Sequence, residues 1–450
     1  MESTAAINDL RVKVNNRQIL SIALPITLAI FIPQVNMLTN SIFLGRLSKE
    51  ALGNAGITGV FYLIFAVAGN GLNNAMQTVF SKYAGSGESS LFKTILTQGI
   101  RICLQFALVC ILFTWIIAPF IMRAVADPAA YPQEMSFLKI RILGLPFLYL
   151  FQMGNAFLVA SLNSRFLMIG FIIEALVNIL FDYLLIFGKL GFPQMGFNGA
   201  AVASVIAEFV GMLVVFFVLF QTGLKSRYQL FKDFTFDKKT SKEIFTVAVP
   251  LVLQYIISIT TWLIFFLLIE TKGTIAKSVS NVMRNVFGLV GVFVWALAST
   301  SNAMVSNLMG QKREDLVLVA IKKITYWSLG LCSFMVLLLN LFPELFFRLF
   351  GQDEAFVQAA IPVVRIVSLG MLFMSIANIW LNGVTGTGKT KVNLLIEIVA
   401  ITLYLIYTWI FMKVHYISLA MAWSNEFIYW TSIFTMAFLF LKSGKWKTKN

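Results

Sequence analysis

Charge is scarce in this chain. Asp, Glu, Lys and Arg make up 12% of 450 residues, against about a quarter in soluble domains. Such a chain cannot clothe a water-facing surface, which excludes a soluble enzyme and a disordered scaffold. Histidine is almost missing: His415, beside a predicted helix end, is the only one, so chemistry built on a histidine base or a histidine metal cluster goes with it. The three cysteines, Cys103, Cys110 and Cys332, each lie in an apolar run, so no disulfide framework is implied. Alternating segments of about ten residues, the mark of a membrane β-barrel, do not occur. Nor does the start read as a cleaved leader. Residues 1–17 are polar, the apolar run from Ile19 to Leu44 is longer than a signal core, and no small-residue cleavage site follows it.

What is abundant is hydrocarbon. Apolar residues make up 59%, Phe alone numbers 43, and the mean hydropathy is +0.84. A helix of roughly 20 apolar residues crosses a bilayer, and backbone groups in lipid must bond within their own helix. The sequence therefore predicts an all-α integral membrane protein of twelve transmembrane helices. They fall near 18–44, 53–82, 92–122, 136–161, 166–188, 197–222, 243–270, 275–307, 318–350, 357–383, 392–413 and 416–441. Lys225, Arg227, Lys232, Lys238, Lys239 and Lys242 crowd the segment between spans 6 and 7, and Lys442, Lys445, Lys447 and Lys449 close the chain. Basic residues favour the cytoplasmic side, so both termini are expected there. The net charge of +15 then reflects topology and anionic lipid headgroups. The basic residues are spread over short loops, which speaks against a nucleic-acid partner.

The polar stretch from Gln221 to Ser241 reads as a linker between two six-helix halves. The expected organisation is a 1–17 amino-terminal segment, an 18–222 lobe, a basic 223–242 linker, a 243–441 lobe and a basic 442–450 tail. Comparing the halves supports duplication. Pro25/Pro250, Ala51/Ala276, Leu72/Leu297, Ser81/Ser306 and Gly85/Gly310 share an offset of 225 residues. Glu174/Glu397 follow at 223, and Glu208/Glu426 at 218. Parallel repeats about an axis along the membrane normal are a plan common among secondary transporters.

Asp182 is the residue that most needs an explanation. It lies about 17 residues into span 5, roughly 25 Å along the helix. A carboxylate at that depth is costly unless it is paired, protonated or cation-bound. Asn178 and Glu174 precede it at four-residue steps, on the same helix face. The plain alternative is a structural carboxylate bonded to neighbouring helices. Pro25 and Pro33 interrupt the hydrogen-bond ladder of span 1, which favours a kink. A static kink is the plain alternative to a gating one.

Several segments resemble the multidrug and toxic compound extrusion (MATE) family. They are Leu24–Gly87 with LPITLAIFIPQVNMLTNSIFLG, Asn178–Gly188 with NILFDYLLIFG, Gly196–Ser204 with GFNGAAVAS, Ala303–Arg313, and the polar Gly383–Thr390 turn. The resemblance implies a V-shaped two-lobe exporter in which entering Na⁺ or H⁺ drives out amphipathic, often cationic, compounds. It assigns Asn178 and Asp182 to a first-lobe cation site. The family often has an aspartate near the outer end of the first helix, where this chain has Asn40. One acid is left, with neutral oxygens from Asn36, Asn40, Asn178 and Ser204. Hard oxygens suit Na⁺, and a lone carboxylate in low dielectric suits H⁺, so the sequence leaves both ions open. Some members carry second-lobe acids on spans 7 and 10, where this chain has Ser258 and Met374. The main ion site is therefore expected in the first lobe.

Tryptophan is lopsided: Trp115 stands alone in the first half and eight follow in the second. Most read as interfacial belt residues. The candidate substrate-cavity residues are Gln34, Tyr255, Trp262, Arg284, Trp295 and Trp380, whose aromatic faces suit a flat cation. Glu208, Arg284, Arg365, Glu397 and Glu426 read first as interhelical pairing groups. Gly383–Thr390 fits G-x-x-x-x-G-K-[ST] letter for letter, but a phosphate loop needs a strand before it and an α/β domain around it, so ATP binding is not expected. The expected protein is a monomeric secondary multidrug exporter in a bacterial inner membrane. It has lipid and small organic compounds as partners and uses no cofactor beyond its coupling ion. A flippase for lipid-linked oligosaccharides is the competing reading, but it would be expected to show more basic residues than Arg284 and Arg365. An enzyme lacks its clustered catalytic groups, and a channel its ring of like charges.

Overall fold

The computed structural model describes residues 10–125, 127–348, 354–410 and 418–447. His415, Lys449 and the ends assigned to spans 9, 11 and 12 lie outside them. The described residues form helices and no strand. Twelve are long: α1 Asn16–Leu47, α2 Lys49–Ser86, α3 Phe92–Ile116, α4 Tyr131–Ala160 with a 3₁₀ turn at Ile142–Gly144, α5 Leu167–Phe187 and α6 Phe197–Gln221. The second six are α7 Lys238–Glu270, α8 Thr274–Gly310, α9 Val317–Leu341, α10 Glu354–Gly386, α11 Thr390–Trp409 and α12 Asn425–Lys442. Eleven of them are each long and apolar enough to span a bilayer. α12 opens on Asn425-Glu426 and ends on Lys442, which dilutes its hydropathy. Leu108, Leu176, Phe217, Leu267 and Phe334 stand exposed, as lipid-facing side chains must.

Three spans are shorter than hydropathy suggests. α3 stops at Ile116, and a separate helix, Ala118–Val125, follows with Pro119 in its first turn. α9 likewise stops at Leu341, and Pro343 opens the helix Pro343–Arg348. Proline lacks the N–H and clashes with the preceding turn, and a hydropathy window does not register that. Before α12, Ser418 caps a short helix, Leu419–Ala422, through the N–H of Met421.

The repeat is visible in the backbone. Pro119 and Pro343 fall 224 residues apart, one short of the 225 that separates Pro25 and Pro250. After α2 the chain turns through Gly87 at φ +84°, and after α8 through Lys312 at φ +58°. After α4 it turns through Leu162 at φ +59°, and after α10 through Gly388 at φ +78°. The Gly383–Thr390 stretch is therefore the second copy of a helix–helix turn. Gly383 and Gly386 are inside α10 and Thr390 opens α11, so its backbone N–H groups do not form a phosphate cradle.

The chain divides into two compact units. The first comprises Met1–Arg11 and Leu24–Val252, the second Val12–Ala23 and Leu253–Asn450. In the first, Phe80, Phe92, Phe157 and Tyr228 meet edge-on or tilted, with centroids 5.0–5.8 Å apart. Tyr228 belongs to the polar stretch before α7, which is tied down. Thr97 donates to the carbonyl of Asp233 (2.9 Å), Gln98 to that of Thr235 (2.8 Å), and Arg101 to that of Phe234. Asp237 then caps α7, accepting from the Thr240 N–H at 2.6 Å, a bond that holds its carboxyl below the usual range. In the second unit, Trp423 is fully buried against Phe265, Phe266 and Phe287, and its Nε1 donates to Ser280 (3.1 Å). Residues 12–14 dock on the same unit. The Val12 N–H donates to Asn307 Oδ1 (3.0 Å), Gln311 to the Val12 carbonyl (3.2 Å), and Lys323 to the Val14 carbonyl (3.1 Å).

Within the first unit, α2 and the start of α7 meet backbone to backbone. A Cβ on Gly71 would stand 2.8 Å from both Cα and N of Val252, and backbone cannot yield as a flexible side chain can. Gly71→Ala should therefore destabilise the purified protein by about 1–3 kcal/mol, the usual cost of overpacking. An unchanged thermal midpoint in detergent would refute that close approach.

Candidate functional site

In the first unit, α5 carries the polar stripe. Asp182 and Asn178 are buried, at 0% and 1% exposure, and Glu174 is half-buried over Gly211 of α6. Asn178 Nδ2 donates to Ser204 Oγ of α6 at 3.3 Å. The C-terminal end of α1 packs on the C-terminal end of α5. Phe43 meets Phe187 edge-on at 6.0 Å, and Leu44 joins a cluster with Ile186, Phe197, Ala200 and Ala201. Two odd-numbered spans run in the same direction, and each residue adds 1.5 Å. That contact puts Asp182 at a depth between Asn36 and Asn40.

The oxygens at this depth share one property. Both carboxylate oxygens of Asp182 and the amide oxygens of Asn36, Asn40 and Asn178 are buried and have no hydrogen-bond partner among the described residues. Buried acceptors are nearly always satisfied, and each orphan costs about 1–3 kcal/mol. These five oxygens, one pair carrying an ionisable proton, are of the hard type that cations and protons satisfy. Among the described residues no three His, Cys, Asp or Glu side chains come together. The set is one acid with amides. Of the residues the sequence grouped here, the structure joins Asn178 to Ser204 by a bond, while Asn36 and Asn40 lie on α1, two turns and one turn before the Phe43 that meets Phe187.

Pro25 and Pro33 both lie inside α1, which is assigned as one helix across them. Gln34 and Tyr255 are half-buried. Trp262 packs on Phe266 at 4.5 Å, and Arg284 is exposed, 5.9 Å from the same ring. Trp295, 38% exposed, lies over Gly291. Trp380 occupies a packed core position, 5% exposed between Phe434 and Phe438.

Arg141 and Tyr62 escaped the sequence reading. Arg141, on α4, grips Glu208 with two bonds of 2.8 and 2.6 Å and lies 3.7 Å from the Tyr62 ring centroid, while Tyr62 Oη donates to Glu208 at 2.9 Å. A Cβ on Gly144 would fall 1.9 Å from Glu208 Oε2, so the glycine makes room for the pair. The repeat held the clue: Arg141 aligns with Arg365 and Glu208 with Glu426. Arg365 is exposed, however, and Glu426 accepts instead from Trp430 Nε1 at 3.0 Å.

The second unit holds a carboxylate of another kind. Glu397, 1% exposed, accepts from Ser258 Oγ and from Tyr429 Oη (2.5 Å) at one oxygen, and from Gln254 Nε2 (3.3 Å) at the other. Asn393 Nδ2 donates in turn to Gln254 Oε1 (3.1 Å) and to Thr385 Oγ1 (2.7 Å). The expected role of Glu397, interhelical bonding, is met through neutral donors.

Removing one partner of a buried ion pair strands the other, at about 3–5 kcal/mol. Arg141→Ala should lower thermal stability by that order, and adding Glu208→Ala should restore part of the loss. Purely additive losses in the double variant would show that the two charges are not coupled.

Comparison with known proteins agrees with the repeat. The MatE family model matches residues 25–184 and again 250–410, two stretches that begin on the aligned prolines. A probable multidrug resistance protein NorM of Thermotoga maritima is 23% identical over 441 residues, 96% of this chain and 93% of its own. The multidrug resistance protein NorM of Vibrio cholerae is 23% identical over 80% of this chain and 79% of its own. The fold matches that of a multidrug resistance MATE family transporter of the MOP superfamily, solved in an outward-facing conformation. The TM-score is 0.87 with 15% identity, over 99% of this chain and 100% of that one. A MOP superfamily transporter from Pyrococcus furiosus, described as having a binding pocket of reverse polarity, aligns with TM-score 0.88 and 15% identity over the whole of both chains. Matched twice, once in each half, this chain belongs to the MatE family of membrane transporters.

Proposed function

We propose that the protein is a secondary active exporter of amphipathic, cationic organic compounds, driven by entry of Na⁺ or H⁺ through the oxygen set around Asp182. The multidrug resistance names of its NorM relatives support export of small organic compounds, and the amphipathic, often cationic, character is what the family resemblance implies. The observation that carries the coupling is the group of buried oxygens without donors on Asn36, Asn40, Asn178 and Asp182. A buried carboxylate that lacks donors favours whichever state carries a counter-cation or a proton. Loading and unloading it therefore changes the free energy of the surrounding helices, as a coupling ion must.

The same oxygens give span 1 a role. Asn36 and Asn40 follow Pro33, so a cation shared between them and Asp182 pulls on a segment whose hydrogen-bond ladder is already interrupted. Bending at Pro25 or Pro33 is then the mechanical output of occupancy. A flippase for lipid-linked sugars is less well supported, because Arg141 is engaged by Glu208 and Arg284 and Arg365 alone are a thin set of basic groups for a pyrophosphate.

The test is export of an amphipathic cationic dye by the full chain in proteoliposomes, under imposed Na⁺ or H⁺ gradients. Wild type should export with at least one of them. Asp182→Asn, which keeps the shape and removes the charge, should slow export at least about tenfold, a difference of ~1.4 kcal/mol. Full-rate export by Asp182→Asn under the same gradient would sink the assignment of coupling to this residue.

A further inference from the structure

The geometry points to a second, proton-specific exchange site in the other unit, made of Glu397 and a reversible chain of amides, Gln254 and Asn393, that ends on Thr385. The inference rests on the reading of the chain as a cation-driven exporter, and adds which ion acts at this place and how its binding is passed on.

The donors around Glu397 are all neutral: Ser258 and Gln254 from α7, and Tyr429 from α12. No Lys or Arg forms an ion pair with it among the described residues. The other titratable groups facing this cluster are Glu426, one turn before Tyr429 and bonded to Trp430, and Tyr404 of α11, whose ring lies 5.9 Å from that of Tyr429. α7 adds the amide and the hydroxyl named, and α10 adds Thr385. The carboxylate therefore has no fixed countercharge, and the charge that can arrive and leave is a proton. Its oxygens are already occupied by three donors, which leaves a metal ion no ordered set of free ligands, unlike the unpartnered oxygens around Asp182.

The amides give this site two stable polarities. In the one seen, the two amides donate toward Glu397, Asn393 Nδ2 to Gln254 Oε1 and Gln254 Nε2 to Glu397 Oε2, while Asn393 Nδ2 also donates to Thr385 Oγ1 at the far end of the chain. This suits an ionised carboxylate, and it leaves Asn393 Oδ1 buried without a partner. A protonated Glu397 has an O–H to donate and needs an acceptor. Half a turn of the Gln254 amide supplies one. Gln254 Nε2 then needs an acceptor, and half a turn of Asn393 provides Oδ1, which also takes the proton of Thr385 Oγ1. That hydroxyl now points to the carbonyl of Leu381 at a weak 3.3 Å, so it is free to swing. One proton from water, added at Glu397, reverses each bond in the chain as far as the C-terminal turn of α10, with no helix displaced. Amides are nearly isosteric on rotation, so both polarities fit the same cavity.

The experiment uses the full chain in proteoliposomes and two readouts. Infrared difference spectra between acid and alkaline pH report the C=O stretch of a protonated carboxylic acid, and a cationic dye reports export under an H⁺ gradient. Wild type should show the carboxylic-acid band. Glu397→Gln should lose its share of that band and export about tenfold more slowly, whereas Asp182→Asn should keep that share. Gln254→Leu, which leaves the acid but cuts the chain, should keep the band and still lose export about tenfold. A merely structural Glu397 would not produce that split. Tyr429→Phe, a mild change that folds where others fail, should shift the pH midpoint of the band.

The proposal is overturned if Glu397→Gln leaves the band intact across the titration, or if Gln254→Leu exports at the wild-type rate. Should wild type export with neither gradient, the exporter reading falls, and the band in Glu397→Gln still decides whether this carboxyl exchanges a proton.

Discussion

Hydrocarbon offers a polar group no water to fall back on, so each buried N–H, hydroxyl and carboxylate here must find its partner inside the protein. Most do. Hydroxyls such as Thr58, Thr78, Thr300 and Thr325 bond back to the carbonyl one turn earlier. Glu208 is held by Arg141 and Tyr62, and Glu397 by three neutral donors. The buried oxygens left without a partner among the described residues include those of Asn36, Asn40, Asn178 and Asp182, and also both carboxylate oxygens of Glu134 and the amide oxygens of Asn73, Gln152, Asn155 and Asn198.

Duplication supplied two copies of one helical frame, and the copies solve the same electrostatic problem differently. In the first, an arginine on the fourth helix turns inward and neutralises the acid of the sixth. In the second, the aligned Arg365 is exposed and Glu426 is left with an indole N–H. Glu174 lies over Gly211, while its counterpart Glu397 sits in a polar network. With a cation built in, a carboxylate has its charge fixed. Without one it must be hydrogen-bonded as an anion or carry a proton, and Glu397 has the surroundings for both. The backbone duplicates faithfully and the titratable chemistry does not.

This difference also marks how far the sequence could be read. Helix number and the register of the repeat follow from hydropathy and the aligned prolines, because both are properties of local chain. Asp182, Asn178 and Glu174 were legible as a stripe for the same reason, lying at i, i+4 steps on one helix. The breaks at Pro119 and Pro343 were missed because a sliding average weights proline by polarity, ignoring its lost N–H. Arg141 was missed because an arginine near a span end reads as snorkelling, and its inward turn depends on Gly144 leaving space. The chain Glu397–Gln254–Asn393–Thr385 joins residues up to 143 positions apart. No spacing rule could have assembled it.

The two units share helices, and the places where they do so are chemically marked. Residues up to Ala23 of α1 group with the second unit, and from Leu24 α1 belongs to the first. α7 belongs to the first unit up to Val252 and to the second from Leu253. Pro25 and Pro250 lie within three residues of these changes. A continuous helix resists bending because each turn is tied to the next, and a proline unties one of those bonds. Each of these helices therefore lacks a hydrogen bond close to its proline. Asn36 and Asn40 lie beyond that point on α1, and Gln254 and Ser258 lie just beyond it on α7. The residues proposed to take up a cation thus follow Pro25 and Pro33 on α1 and Pro250 on α7, on helices whose hydrogen-bond ladder a proline interrupts.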